Sequence, residues 1–90
     1  MLLAVSGFAQ TKKDYFWSGV KKYNLKDFSG AVAEFNKALE IDLKREDAWY
    51  YRGLTRYELH DNNGAMTDFN RTLEIYPEYM EAYCGRGLVK

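Results

Sequence analysis

Proline occurs once in the chain, at Pro77, and cysteine once, at Cys84. Scarcity of proline leaves long stretches free to form helices, because proline removes a backbone donor and breaks a helix interior. A lone cysteine excludes an internal disulfide and a multi-cysteine metal site. Histidine also occurs once, at His60, and no serine or cysteine stands in an evident sequence partnership with it. Neither an HExxH nor a phosphate-loop motif is present. Asp61-Asn62-Asn63-Gly64 lacks the remaining ligands and the closing glutamate of a calcium loop. His60 therefore reads as a solvated turn residue, and Cys84 as a packing or groove-lining residue. No catalytic residue, cofactor or metal is expected, and the chain does not read as an enzyme.

Charge of one sign is lacking as well. Thirteen basic residues balance 13 acidic ones, which argues against a dedicated nucleic-acid binder. The signs are unevenly spread: residues 12–45 hold eight Lys/Arg and five Asp/Glu, and residues 46–90 hold five and eight. Long hydrophobic runs are also missing. The uncharged stretch Met1–Gln10 is too short to span a bilayer, which takes ~20 residues as a helix. No strand-length alternating run bounded by turns appears anywhere.

What the chain does contain is hydrophobic residues at 47% and aromatics at 17%, enough for an ordered core rather than a disordered chain. It also contains a repeat. Ala31-Val32-Ala33-Glu34-Phe35-Asn36-Lys37-Ala38-Leu39-Glu40-Ile41 returns 34 residues later as Ala65-Met66-Thr67-Asp68-Phe69-Asn70-Arg71-Thr72-Leu73-Glu74-Ile75. The same offset relates Tyr15, Trp49 and Tyr83, then Gly19, Gly53 and Gly87, then Tyr23 and Tyr57. A fixed period of this size signals stacked repeats.

Apolar residues recur at helical spacing within each copy. The spacing predicts helices over 12–24, 28–41, 46–59 and 63–75, and a fifth opening at Glu78 or Tyr79 and running to Lys90. Asp27 and Asp61 are expected to cap the second and fourth helices through their free backbone N–H groups. Gly19 with Ala31, and Gly53 with Ala65, are small where paired helices must approach. Phe35 and Phe69 are large where one unit meets the next.

The repeat resembles the tetratricopeptide repeat, with its W-x2-L-G-x2-Y, A-x3-F and P pattern. Trp49, Gly53, Ala65, Phe69 and Pro77 stand at the matching places of the best copy. Tyr15, Gly19, Ala31, Phe35 and Ala38 stand at those of the first, and Tyr83 and Gly87 begin a third. Ser18, Arg52 and Arg86 replace the pattern's leucine. Lys22, Arg56 and Lys90 replace its tyrosine, Thr72 its second small alanine, and Leu43 its first proline.

The resemblance implies an all-α, tetratricopeptide-type α-solenoid of antiparallel helix pairs, five helices in right-handed superhelical stacking. Repeat one would span about 12–45, repeat two about 46–79, and the first helix of a third about 80–90, within a domain of residues 11–90. In this family the first helices line a concave groove. Carried over place by place, that groove would hold Lys13, Phe16, Trp17, Val20, Tyr23 and Asn24 from the first unit. The second unit would give Asp47, Tyr50, Tyr51, Leu54, Tyr57 and Glu58, and the third Glu81, Cys84 and Gly85. Phe16, Trp17, Tyr50 and Tyr51 are the expected contact residues, because aromatics dominate binding hot spots. Some relatives clamp a chaperone's C-terminal carboxylate with Lys, Asn and Arg. The matching places here are Phe16, Val20, Tyr51, Glu81 and Gly85, which cannot do so.

The implied role is a protein-interaction scaffold that binds a peptide or partner helix in the groove. One alternative is self-association, giving a homo-oligomer through the uncovered fifth helix. Another is the repeat segment of a longer enzyme or sensor. Gly7 and Ala9 are small residues placed like those of a secretory cleavage site, so residues 1–10 resemble the tail of a bacterial signal peptide, the alternative being a disordered N-terminus. A leader there implies a periplasmic or secreted protein supporting assembly of an envelope complex. The alternative is a cytoplasmic one, and in neither case is the mature chain inserted in a membrane.

Overall fold

The computed structural model describes residues 13–89. The leader assignment for residues 1–10 lies outside them. Among the described residues there are five helices: α1 (Tyr15–Asn24), α2 (Phe28–Ile41), α3 (Glu46–Glu58), α4 (Asn62–Ile75) and α5 (Met80–Val89). They contain no strand, and none of the helices is long and apolar enough to cross a membrane.

Four ends differ from the sequence expectation, α3 closing at Glu58 and α4 opening at Asn62, each one residue early, and the starts of α1 and α5 falling later. The first helix opens at Tyr15 instead of Lys12, because the Asp14 carboxylate accepts from the amides of Phe16 and Trp17 at 3.1 and 3.3 Å. The fifth opens at Met80, just past a turn in which the Tyr79 amide donates to the Tyr76 carbonyl at 3.1 Å.

The two inter-helix turns are copies of each other. Lys26 and His60, one repeat apart, both adopt left-handed torsions, with φ of 66° and 67°. The next residue closes one helix and opens another. The Asp27 amide donates to the Lys22 carbonyl at 2.8 Å, and its carboxylate accepts from the Gly30 amide at 3.1 Å. Asp61 does the same with Arg56 and Gly64, at 2.8 and 2.9 Å. Such an end satisfies helix carbonyls that would otherwise lack partners. It also fixes the angle at which the hairpin folds back, and it places His60 in an exposed turn.

The hairpins pack in series. Phe35 lies fully buried, its ring within 3 Å of where a Cβ on Gly19 would sit. Phe69 holds the same relation to Gly53, and it also fills the space in front of Gly85. Ala31, Ala48, Ala65 and Ala82 have no exposed surface, so the helices meet closely there.

Each unit also buries a carboxylate beside its phenylalanine. Both oxygens of Asp68 are held by the Arg52 guanidinium at 2.9 and 3.0 Å, and Arg56 adds a contact at 3.2 Å. Glu34, the matching residue of the first unit, meets Lys13 at 3.1 Å and Lys22 at 3.3 Å. The basic residues that replace the repeat's leucine and tyrosine thus neutralise a carboxylate taken out of water, which would otherwise be strongly unfavourable. The buried Thr72 hydroxyl donates to the Asp68 carbonyl at 2.9 Å and lies 3.3 Å from the Glu46 carbonyl.

α1 touches α3, and α3 touches α5, but α2 and α4 do not touch. The first helices of the hairpins therefore converge on one side of the array, and the second helices splay on the other.

Candidate functional site

The converging side, formed by α1, α3 and α5, carries a connected row of aromatic rings. Trp17 is 61% exposed and stands edge-on to Phe16, with centroids 5.0 Å apart. Phe16 meets Tyr51 at 5.7 Å, Tyr51 meets Tyr50 at 5.3 Å, and Tyr50 meets Tyr79 at 5.1 Å. Tyr23 joins through Tyr51 at 6.2 Å.

Not every member of the row is available to a partner. Phe16 is only 2% exposed, with the Arg45 guanidinium 4.1 Å above its ring. It belongs to the core and cannot be the contact residue that its repeat position suggests. Tyr51 is half-buried and lies nearly parallel to the core ring of Phe35, tilted by 28° at 6.2 Å. Gly85 is buried against Phe69. Val20, Tyr23, Asp47, Tyr50, Leu54 and Tyr57 are half-buried, while Asn24, Glu58, Glu81 and Cys84 are exposed.

Lys13 is exposed, but its ammonium turns back to Glu34. Asp47 is likewise engaged, accepting from Arg45 Nε at 3.1 Å. Tyr23, Asn24 and Glu58 come together with Lys26 and Phe28 around a hollow of about 240 Å³. A larger cleft of about 430 Å³ lies where the start of α1 meets the end of α2, lined by Tyr15, Phe16, Ile41 and Arg45 among others.

Electrostatics on this side favour protonated phenols. Burial, then the Asp47 and Glu81 carboxylates, push the Tyr79 hydroxyl well above its ordinary value. Tyr50 is raised by burial first, then by its neighbours Tyr51 and Glu81. Tyr23 is raised by burial and by Glu58. These hydroxyls stay neutral through the physiological range, so they can donate and accept hydrogen bonds. Among the described residues no three His, Cys, Asp or Glu side chains are grouped to hold a metal ion.

Tyr79 and Arg45 were missed as participants, although the period could have found them. They are 34 residues apart. Each stands just before a first helix and covers the ring at the same place in the preceding first helix, Phe16 for Arg45 and Tyr50 for Tyr79.

The paired-helix geometry recurs in solved structures. The crystal structure of MamA superposes with a TM-score of 0.81 at 23% identity, over 83% of this chain and 44% of that one. The first TPR of Spaghetti (RPAP3), bound to the HSP90 peptide SRMEEVD, superposes with a TM-score of 0.82 at 25% identity, over 83% of this chain and 60% of that one. The chain has the tetratricopeptide-repeat fold. It spans about half the length of these two structures. No protein-family model matches the sequence, and no curated protein does. The periodicity and the superposition therefore carry the assignment of the tetratricopeptide-repeat fold, and the contacts between its hairpins account for the period.

Proposed function

We propose that this array is a protein-interaction scaffold and that a peptide or partner helix lies along the side formed by α1, α3 and α5. The observation that carries the proposal is Trp17, a tryptophan 61% exposed on a rigid helix and braced edge-on by the buried Phe16 ring. Aromatic side chains held this way give contact area at low entropic cost. The peptide-bound relative supports the general mode. The acidic tail of that peptide is not the expected ligand, since Glu81 and uncharged residues occupy the places of a carboxylate clamp.

The role is binding without turnover. A leader at residues 1–10 would direct the scaffold to a bacterial envelope, to support assembly of a larger complex there. The intact mass of the chain recovered from a bacterial periplasm tests this: a product starting near Gln10 supports it, and an intact Met1 in the cytosol contradicts it.

Affinity capture tests the binding surface. A Trp17→Ala, Tyr57→Ala double variant should lose partners that the native chain retains, while its helical content and cooperative unfolding are kept. Equal retention by both would move the binding surface elsewhere. Tyr51 is unsuited to this test because it supports Phe35, so its removal would disturb the fold itself.

A further inference from the structure

The face of α5 turned away from α4 repeats the face with which α3 receives α4. Trp49 Nε1 donates to the Leu43 carbonyl at 2.8 Å, and Tyr83 Oη donates to the Pro77 carbonyl at 3.0 Å. The Arg52 guanidinium lies 4.9 Å from the Trp49 ring, and that of Arg86 lies 5.7 Å from the Tyr83 ring. Gly53 is followed 34 residues later by Gly87. The two differ only in what faces them: Gly53 has the Phe69 ring and the Asp68 Cβ against it, and Gly87 has nothing within 4 Å. Arg86 has no carboxylate partner among the described residues. Tyr83 and Leu88 are 47% and 56% exposed.

We infer that this face docks an amphipathic helix of a partner protein in which an acidic residue is directly followed by phenylalanine. The internal precedents define the ligand. α1 receives Glu34-Phe35 and α3 receives Asp68-Phe69. In each case an alanine stands three residues before the acid and the ring covers the first helix's glycine; Asp68 meets Arg52, the repeat equivalent of Arg86, whereas Glu34, with Ser18 at that place, meets Lys22 of α1. Arg86 and Gly87 offer the cation and the ring-sized gap that Arg52 and Gly53 offer in α3, in the same order.

Charge complementarity thus selects an acidic helix, and the gap selects an aromatic residue beside the acid. A second copy of this chain is a poor occupant. Its own Asp68-Phe69 step has no exposed surface, and its Glu34-Phe35 step is 8% and 0% exposed.

The probe is a labelled peptide with the sequence of residues 61–76, which contains Asp68-Phe69, titrated into the full chain by fluorescence anisotropy. Saturable binding is expected. Arg86→Glu in the chain should weaken it about tenfold or more, the size of effect set by losing one charged contact, and Phe69→Ala in the peptide should weaken it at least as much through the lost burial of the ring. A Lys in place of Asp68 in the peptide should restore binding to the Arg86→Glu chain. Gly87→Trp should abolish binding and leave the unfolding midpoint unchanged, since that position faces open space.

Absence of binding, or binding indifferent to Arg86→Glu and Gly87→Trp, would overturn the inference. Two further results would also overturn a separate partner. One is a dimer of the chain alone that Gly87→Trp dissolves, which assigns the face to a second copy. The other is coding sequence past Lys90 that supplies an acidic-Phe helix in cis.

Discussion

Asp68 sits without exposed surface between two arginines that remain 14% and 26% exposed. Removing one member of a buried pair strands the other charge, at a typical cost of 3–5 kcal/mol. Here the arginines can turn partly to water, so Asp68→Ala should lower stability by about 3 kcal/mol, read from the midpoint of urea denaturation. Arg71–Glu74, 2.7 Å apart on an exposed helix face, is the contrast. Glu74→Ala should change stability by no more than about 0.5 kcal/mol.

Glu34 gives the matching pH prediction. Burial raises its carboxyl pKa, but hydrogen bonds and attraction from Lys13 and Lys22 outweigh this and leave it below the ordinary 4.5. A carboxyl lowered in the folded state contributes stability that is complete above its unfolded value and is lost as pH falls through its folded value. Native stability should therefore drop as pH falls below about 4.5. Glu34→Gln should lose less over that range, measured as unfolding midpoints across pH.

These carboxylates were the least legible residues in the sequence. An acid on an amphipathic helix ordinarily faces water, and only burial shows otherwise. The signal was present in pieces. Both copies place an acid before the phenylalanine, and both place basic residues where the repeat pattern has leucine or tyrosine. Relating the two observations requires knowing that these positions face each other across the hairpin.

At the scale of the element, the period located every helix to within about three residues, because apolar spacing and capping aspartates are local signals. Register alone misjudged one glycine of α5, Gly85, which it placed in the groove. Gly87 is the repeat equivalent of Gly53, yet it faces open space, whereas Gly85 packs on the Phe69 ring. Tyr51 occupies the place of Gly85 one repeat earlier and stacks on Phe35 instead. The same space between helices is thus filled by a ring from one side or left for a ring from the other.

A clean pair of substitutions follows from that difference. Gly85→Ala puts a Cβ at 2.6 Å from the Phe69 ring and should cost about 1–3 kcal/mol through overpacking. Gly87→Ala meets nothing and should be neutral or stabilising by at most about 1 kcal/mol, since alanine gives up less backbone freedom in a helix. Thermal or chemical unfolding of the two variants side by side checks both signs.

At the scale of the whole molecule, neighbouring hairpins lean so that the first helices meet and the second helices do not. The converging side inherits the aromatic row, braced by core rings, and the splayed side presents polar helix surface such as Thr67 and Asn70. The side on which the first helices meet was legible through the family resemblance. Which of its aromatics remain exposed was not, because Phe16 and Trp17 are adjacent in sequence and only packing buries one and leaves the other.

Site-specific photo-crosslinking tests the binding account most directly. A photoreactive residue placed at Trp17, Tyr57 or Glu58, and separately at Thr67 or Asn70, reports which side a partner touches in the intact chain. Covalent adducts should form from the first set and not from the second. Adducts from Thr67 or Asn70, with none from the aromatic side, would contradict the proposal that a partner lies along α1, α3 and α5.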